Sequence, residues 1–423
     1  MIGPVRRWTA GVSAACLLAA LAAGCAAPRP APTQEADPDA LTAGTVSRRP
    51  PAGLQGMARR QQELGLEALL TPDGNGCLDL RAADLRQADL AGLGDPLLNA
   101  DFDSDTLWPD ALPGGFDPEA MMELGKDPGL GVRALHEQGV TGRGVGIAII
   151  DQTLLTEHQE YADRLRLYQE YNTVAESAEL HGAAVASIAL GGTVGVAPEA
   201  LLYYIADQVG HGDGGNFVRD MSDYARDIDR FIALNDTLPE EEKIRVISMS
   251  VGYMADTQGA QEMDAAIARA RAAGIAVVWV SDDDPLMSQF TGAGRAPVED
   301  PNDIRSVRPG RFWTKYLYDG TFGGTDSLLV PMDRRTTASP SGAADYAYYV
   351  DGGMSWAVPY VAGLYALACQ VKPDVTFEEF TAAARDTARP VISVHEGKEY
   401  PFGNVVDPAA LLEALGMADP ASA

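Results

Sequence analysis

Cysteine, histidine and positive charge are all in short supply in this chain. It has four cysteines and five histidines in 423 residues. Cys16 and Cys25 belong to the extreme N-terminus, which leaves Cys77 and Cys369, whose pairing cannot be read from sequence. Cys369 lies in LYALACQV and reads as a small buried apolar side chain. Lys and Arg number 32 against 60 Asp and Glu, for a net charge of −28. So few cations exclude nucleic acid as a partner, because nothing is left to displace counterions from phosphates. They also exclude loose adsorption to anionic lipid. No carboxylate run has a trustworthy metal-ligand spacing. The nearest, FDSDTLWPD at 102–110, is better explained as an acidic turn. No cofactor and no metal is expected.

Hydrophobic residues make up 46% and charged residues 22%, an ordinary globular balance. The length suits one large core with appendages. The N-terminus, MIGPVRRWTAGVSAACLLAALAAGC, has a basic start, an apolar stretch and small residues up to Cys25. That is the layout of a secretory signal, and the stretch is too short and alanine-rich for a membrane span. LAAGC resembles the bacterial lipoprotein signal, which would place a lipid on Cys25, with residues 1–24 removed. Leu21 stands one place earlier than that pattern wants, and an ordinary signal peptide cut nearby is the alternative. Residues 25–56, rich in Pro and Ala, show no periodic apolar face and are expected to be a disordered tether.

Residues 57–127 read as an N-terminal extension. MARRQQELGLEALL (57–70) suits a short amphipathic helix. CLDLRAADLRQADLAG follows with Leu80, Leu85 and Leu90 in a five-residue rhythm that resembles the pentapeptide-repeat pattern. Three such units make less than a full coil, so a short ordered segment packed on the main domain is the simpler reading. A pro-region is also open.

From residue 128 to 400 the pattern is βαβ. VGIAII (145–150), LLYYIA (201–206), VISMSV (246–251) and IAVVWV (275–280) are apolar runs of strand length, and helical patterns separate them. This predicts an α/β fold: a doubly wound, mostly parallel sheet with helices on both faces. Ligands bind such sheets beyond the carboxyl ends of the strands. Residues 401–423 are expected to be a tail.

Three side chains stand out at such places. Asp151 follows the first strand; it could cap the next segment or serve chemistry. His181 opens a helix in HGAAVASIAL; it could be a satisfied core histidine or a base. Ser355, in DGGMSWAVPYVAG, could be the N-cap of a buried helix or a nucleophile. Their order, Asp, His, Ser, is that of subtilisin.

Four blocks carry a wider resemblance to the subtilisin-like serine peptidases, the subtilases. GVTGRGVGIAIIDQ resembles the aspartate block, HGAAVASIALGGTVGVAP the histidine block, MSVG the substrate-binding strand, and GGMSWAVPYVAGLYALA the serine block. The resemblance implies Ser355 as nucleophile, His181 as base and Asp151 as its orienting acid. It implies main-chain pairing of a peptide or protein substrate with Ser250, Val251 and Gly252, and with the loop HGDGGN around Gly214. Pro359 would fall in the first turn of the serine helix. Bound calcium is common in the family, without support from this sequence.

Three departures from the pattern are visible. Gln152 and Thr153 replace the residues that usually follow the aspartate. The family's oxyanion asparagine falls on Asp283 in SDDDP; ionised it would repel an oxyanion, protonated it could donate to one. Met354 stands where the family has threonine. Two functions therefore remain open. One is a lipid-anchored serine endopeptidase on the extracytoplasmic face of the cell membrane. The other is a weakened or inactive subtilase-fold peptide-binding protein.

Overall fold

The computed structural model describes residues 40–53, 64–213, 216–281, 283–322 and 326–418. The expected signal peptide, Cys25 and Gly214 lie outside them. The described residues all fall in a unit that begins at Asp39.

The chain builds its centre from strand β1 (Gly146–Asp151), strand β2 (Leu165–Glu170), helix α1 (Leu180–Leu190), strand β3 (Leu201–Ala206), helix α2 (Ser222–Thr237), strand β4 (Ile244–Met249), helix α3 (Ala260–Ala272), strand β5 (Ala276–Trp279) and helix α4 (Met354–Val371). The five strands are parallel, in the order β2-β3-β1-β4-β5. β1 and β5 are buried along their whole length, which is why they are apolar without alternation. α2 turns Tyr224, Ile228, Phe231 and Leu234 inward and packs beside α3. α1 and α4 pack on each other and are almost wholly buried. α4 is long and apolar enough to cross a bilayer, yet 78% of it lies inside the domain, so its apolarity serves the core.

The strand order reverses direction about β1. Chain connections run from it towards β3 and β2 on one side, while β4 and β5 lie on the other. The carboxyl ends of β1 and β4 therefore border a crevice, the place where such sheets bind ligands. Asp151 ends β1, and Ser250 follows β4 directly.

The sequence pattern missed three things. Besides a two-stranded ribbon, two further sheets are present among the described residues. One joins Phe290–Arg295, Val307–Pro309, Leu328–Pro331, Arg389–His395 and Lys398–Val405; the other joins Leu78–Asp79, Ala100–Asp103, Arg335–Ala338 and Tyr346–Tyr349. The tail expected from residue 401 is instead part of a strand and a helix (Pro408–Ala414), because Phe402, Val406, Leu411 and Leu412 are all buried. Part of the expected tether is also built into the fold. Val46 bridges Tyr168 on the edge strand β2, Ser47 donates to the Tyr168 carbonyl at 2.9 Å, and Arg48 pairs with Glu170 at 2.7 Å. These contacts are main-chain bonds and one ion pair, so they leave no apolar rhythm to read.

Within the extension, Leu78, Leu80, Leu85 and Leu90 are buried together with Phe102, Phe116, Tyr348 and Val350. Ala100–Asp103 pairs with Tyr346–Tyr349, so the extension shares a sheet with the domain that follows it. Cys77 and Cys369 are both free, and Cys369 is buried.

Candidate active site

Asp151 is 5% exposed at the end of β1. Its Oδ1 accepts the Gln152 N–H and meets His181 Nδ1, both at 2.8 Å. A buried carboxylate needs such partners. Burial pushes the His181 imidazolium down, but the Asp151 charge and hydrogen bond outweigh it and hold His181 above its ordinary 6.5. The pairing fixes the imidazole: with Nδ1 held by Asp151, Nε2 is the nitrogen left for another partner.

Gln152, a departure from the family pattern, has structural work to do. Its side-chain carbonyl accepts the His181 N–H at 3.3 Å, and its main-chain carbonyl accepts the Tyr204 hydroxyl. Thr153 and Glu179 bond each other across the same gap. The turn after β1 thus holds the start of α1. Gly182 follows His181 because nothing larger fits; a Cβ there would collide with the Tyr204 hydroxyl and the Gln152 carbonyl.

Gly353 begins the serine helix at φ +59°, a conformation that L side chains rarely adopt. It takes the cap position that sequence suggested for Ser355, which sits inside the first turn of α4. Pro359 lies within the helix rather than in its first turn. Lacking an N–H, it cannot bond the Ser355 carbonyl one turn back. The Ser250 hydroxyl takes that carbonyl instead, at 2.8 Å. Ser355 Oγ in turn lies 3.4 Å from the Ser250 carbonyl and makes no hydrogen bond to His181. Such bonds are often loose before substrate arrives. Trp356, next in the chain, sets its ring 5.5 Å from the His181 ring and edge-on to Tyr349, so the turn that holds Ser355 packs against His181.

A cavity of about 400 Å³ opens beside this group, lined by Asp151, His181, Asp207, Arg219, Ser250 and Val251 among others. Arg219 Nη1 donates to the Gly252 carbonyl at 2.9 Å. Val251 is bound on its other side, its carbonyl accepting from Val280 at 3.2 Å. Nearby, strand His211–Asp213 pairs antiparallel with strand Asn216–Val218.

Asp283 lies elsewhere. It is exposed and lines a neighbouring cavity with Tyr253, Asp264, Arg271 and Trp279. Asp284 is ion-paired with Arg271 at 3.0 Å, which offsets one of the two like charges beside Asp283. The Met354 sulfur accepts the Gly292 N–H at 3.3 Å.

Sequence reading missed one pair. Asp207, just past β3, donates its N–H to the Asp151 carbonyl at 3.0 Å. Its carboxyl hydrogen-bonds that of Asp227. Burial and the Asp227 charge hold Asp207 well above the usual carboxylate range. Asp227 sits in an amphipathic helix where sequence alone shows only a polar residue.

Residues 142–307 match the family model described as the Subtilase family. The chain carries a subtilase-family domain. The matched stretch includes Asp151, His181 and Ser250, and ends before Ser355. The chain is similar to an extracellular serine proteinase of Thermus sp. (strain Rt41A), 27% identical over 267 residues. That alignment covers 62% of this chain and 59% of the relative's length. Among solved structures it resembles the prenylagaramide maturation protease PagA, at 17% identity and a TM-score of 0.47, over 68% of this chain and 99% of that one. The parallel sheet with helices on both faces is the architecture that the family resemblance implied for the subtilase domain.

Proposed function

We propose that the chain is an exported serine endopeptidase that cuts peptide or protein substrates through Ser355, His181 and Asp151. The Asp151–His181 hydrogen bond carries the reading, because it orients an imidazole that packs 5.5 Å from the ring of Trp356, the residue after Ser355. In this scheme Ser355 Oγ attacks the scissile carbonyl carbon and gives its proton to His181 Nε2. Asp151 stabilises the imidazolium that forms. The Ser355 N–H and the positive end of the α4 dipole face the developing oxyanion. Collapse of the tetrahedral adduct breaks the C–N bond, and His181 returns the proton to the leaving amine. Water then repeats the sequence on the acyl-enzyme and frees Ser355.

The substrate would add as a strand along Ser250–Gly252. An extracellular name on the Thermus relative supports export. The LAAGC segment supports a lipid on Cys25 that holds the enzyme to the membrane's extracytoplasmic face. Labelling with a fluorophosphonate tests the catalytic reading. Label should appear on the native protein and vanish in Ser355→Ala; label that ignores Ser355, or none at any pH, would overturn it. Loss of detergent-phase partitioning in Cys25→Ser tests the anchor.

A further inference from the structure

Arg219 occupies an odd place for a cation. It follows the strand Asn216–Val218, and its main chain is fixed by its neighbour: Asp220 bridges Gln258 and takes the Gln258 side-chain amide at 2.7 Å. Arg219 itself is exposed, and among the described side chains it makes no ion pair. Its one acceptor is the Gly252 carbonyl at 2.9 Å. That carbonyl lies on the edge with which a substrate strand would pair.

The other charges around the same cavity are already balanced. Asp151 faces His181. Asp207, buried against Asp227, is held towards its neutral form. Among the described residues, Arg219 is thus the charged side chain of this cavity without an ionic partner.

A strand that pairs with Gly252 competes with Arg219 for the carbonyl. A neutral peptide would leave the guanidinium with one acceptor fewer. A peptide bearing a carboxylate would replace the lost bond with a charge-assisted, bidentate one. Arg219 is exposed, so water takes the donor that a neutral peptide releases, and the preference rests on the gain of a charged acceptor. The chain's net charge of −28 repels an acidic peptide at long range, so any such preference must arise from local contact.

We propose that Arg219 selects an acidic side chain in the segment preceding the scissile bond, making acidic peptides the substrate class. The proposal rests on the peptidase reading, and its test is built to separate the two. Peptide pairs identical except for Glu or Gln at successive positions before the scissile bond are titrated by calorimetry into Ser355→Ala protein. Binding needs no catalysis. Glu should bind about tenfold tighter or more at one position. Arg219→Gln should bring that ratio near unity, Arg219→Lys should keep part of it, and Arg219→Glu should turn the preference towards Lys. The same Glu/Gln ratio should appear in kcat/KM of the native enzyme. No Glu preference at any position, or one that survives Arg219→Gln, overturns the proposal. Absence of Ser355-dependent labelling and cleavage overturns the peptidase reading, while the binding pairs still report on Arg219.

Discussion

Ser250 and Ser355 are bonded in both directions. The Ser250 hydroxyl donates to the Ser355 carbonyl at 2.8 Å, and the Ser355 hydroxyl lies 3.4 Å from the Ser250 carbonyl. The first bond exists because Pro359 leaves that carbonyl without its helical partner. The end of β4 and the start of α4 are thereby fixed to each other, with the proposed nucleophile between them.

Ser250→Ala should therefore loosen the serine turn. We expect a loss of about 1 kcal/mol in stability, and about tenfold in kcat from the misplaced hydroxyl. Pro359→Ala in that background supplies the missing N–H and should restore stability, read by denaturant unfolding. A double variant no more stable than Ser250→Ala would show that the carbonyl did not need a donor.

The His181 shift sets opposite pH trends for activity and stability. His181 is held above 6.5 in the folded protein by Asp151. As a base it must be neutral, so kcat/KM should rise with pH with a midpoint above 6.5. Its contribution to stability has the other sign. It is fully present below the unfolded value and is lost as pH rises through the folded one. Asp151→Asn should remove the elevation and lower the midpoint. Profiles of kcat/KM and of unfolding midpoint against pH check both.

The segment 40–53 should stabilise the domain rather than trail from it. Ser47 and Arg48 bind β2, Arg48 also bonds the Ala175 and Glu176 carbonyls, and Ala178 donates to Pro51. Deleting residues 40–53 should lower stability by about 2–4 kcal/mol, since several bonds at about 1 kcal/mol each are lost. Arg48→Ala should account for part of that. Denaturant unfolding of the deletion and of Arg48→Ala checks both.

Asp283→Asn should leave turnover at neutral pH within about twofold of the native value, because Asp283 is exposed and lines a cavity other than the one beside His181. An oxyanion donor is worth about 10²–10³ in rate, so a gain of tenfold or more in kcat would overturn that placement. Asp284→Asn serves as the control; it breaks the Arg271 pair and should cost stability without raising kcat.

Much of the centre was legible. Strands buried on both faces must be apolar throughout, so VGIAII, LLYYIA and IAVVWV announced themselves, and the helices between them set the parallel order. Asp151 and His181 could be picked out because polar groups just past apolar strands or at helix starts need a reason. Asp207 and Arg219 gave no such signal. Their roles depend on what faces them: Asp227 from α2 in one case, the Gly252 carbonyl in the other. The segment 40–53 was misread as tether because edge-strand pairing uses main-chain groups that every sequence has.

The sequence by itself determined the α/β class and the Asp, His, Ser order, since burial and residue chemistry are written in composition and spacing. Only the tertiary structure decided how those residues meet. It set the Asp151–His181 bond, gave Gly353 rather than Ser355 the helix cap, and moved Asp283 to a neighbouring cavity. Each of those depends on distances between segments far apart in the chain, which no local pattern encodes.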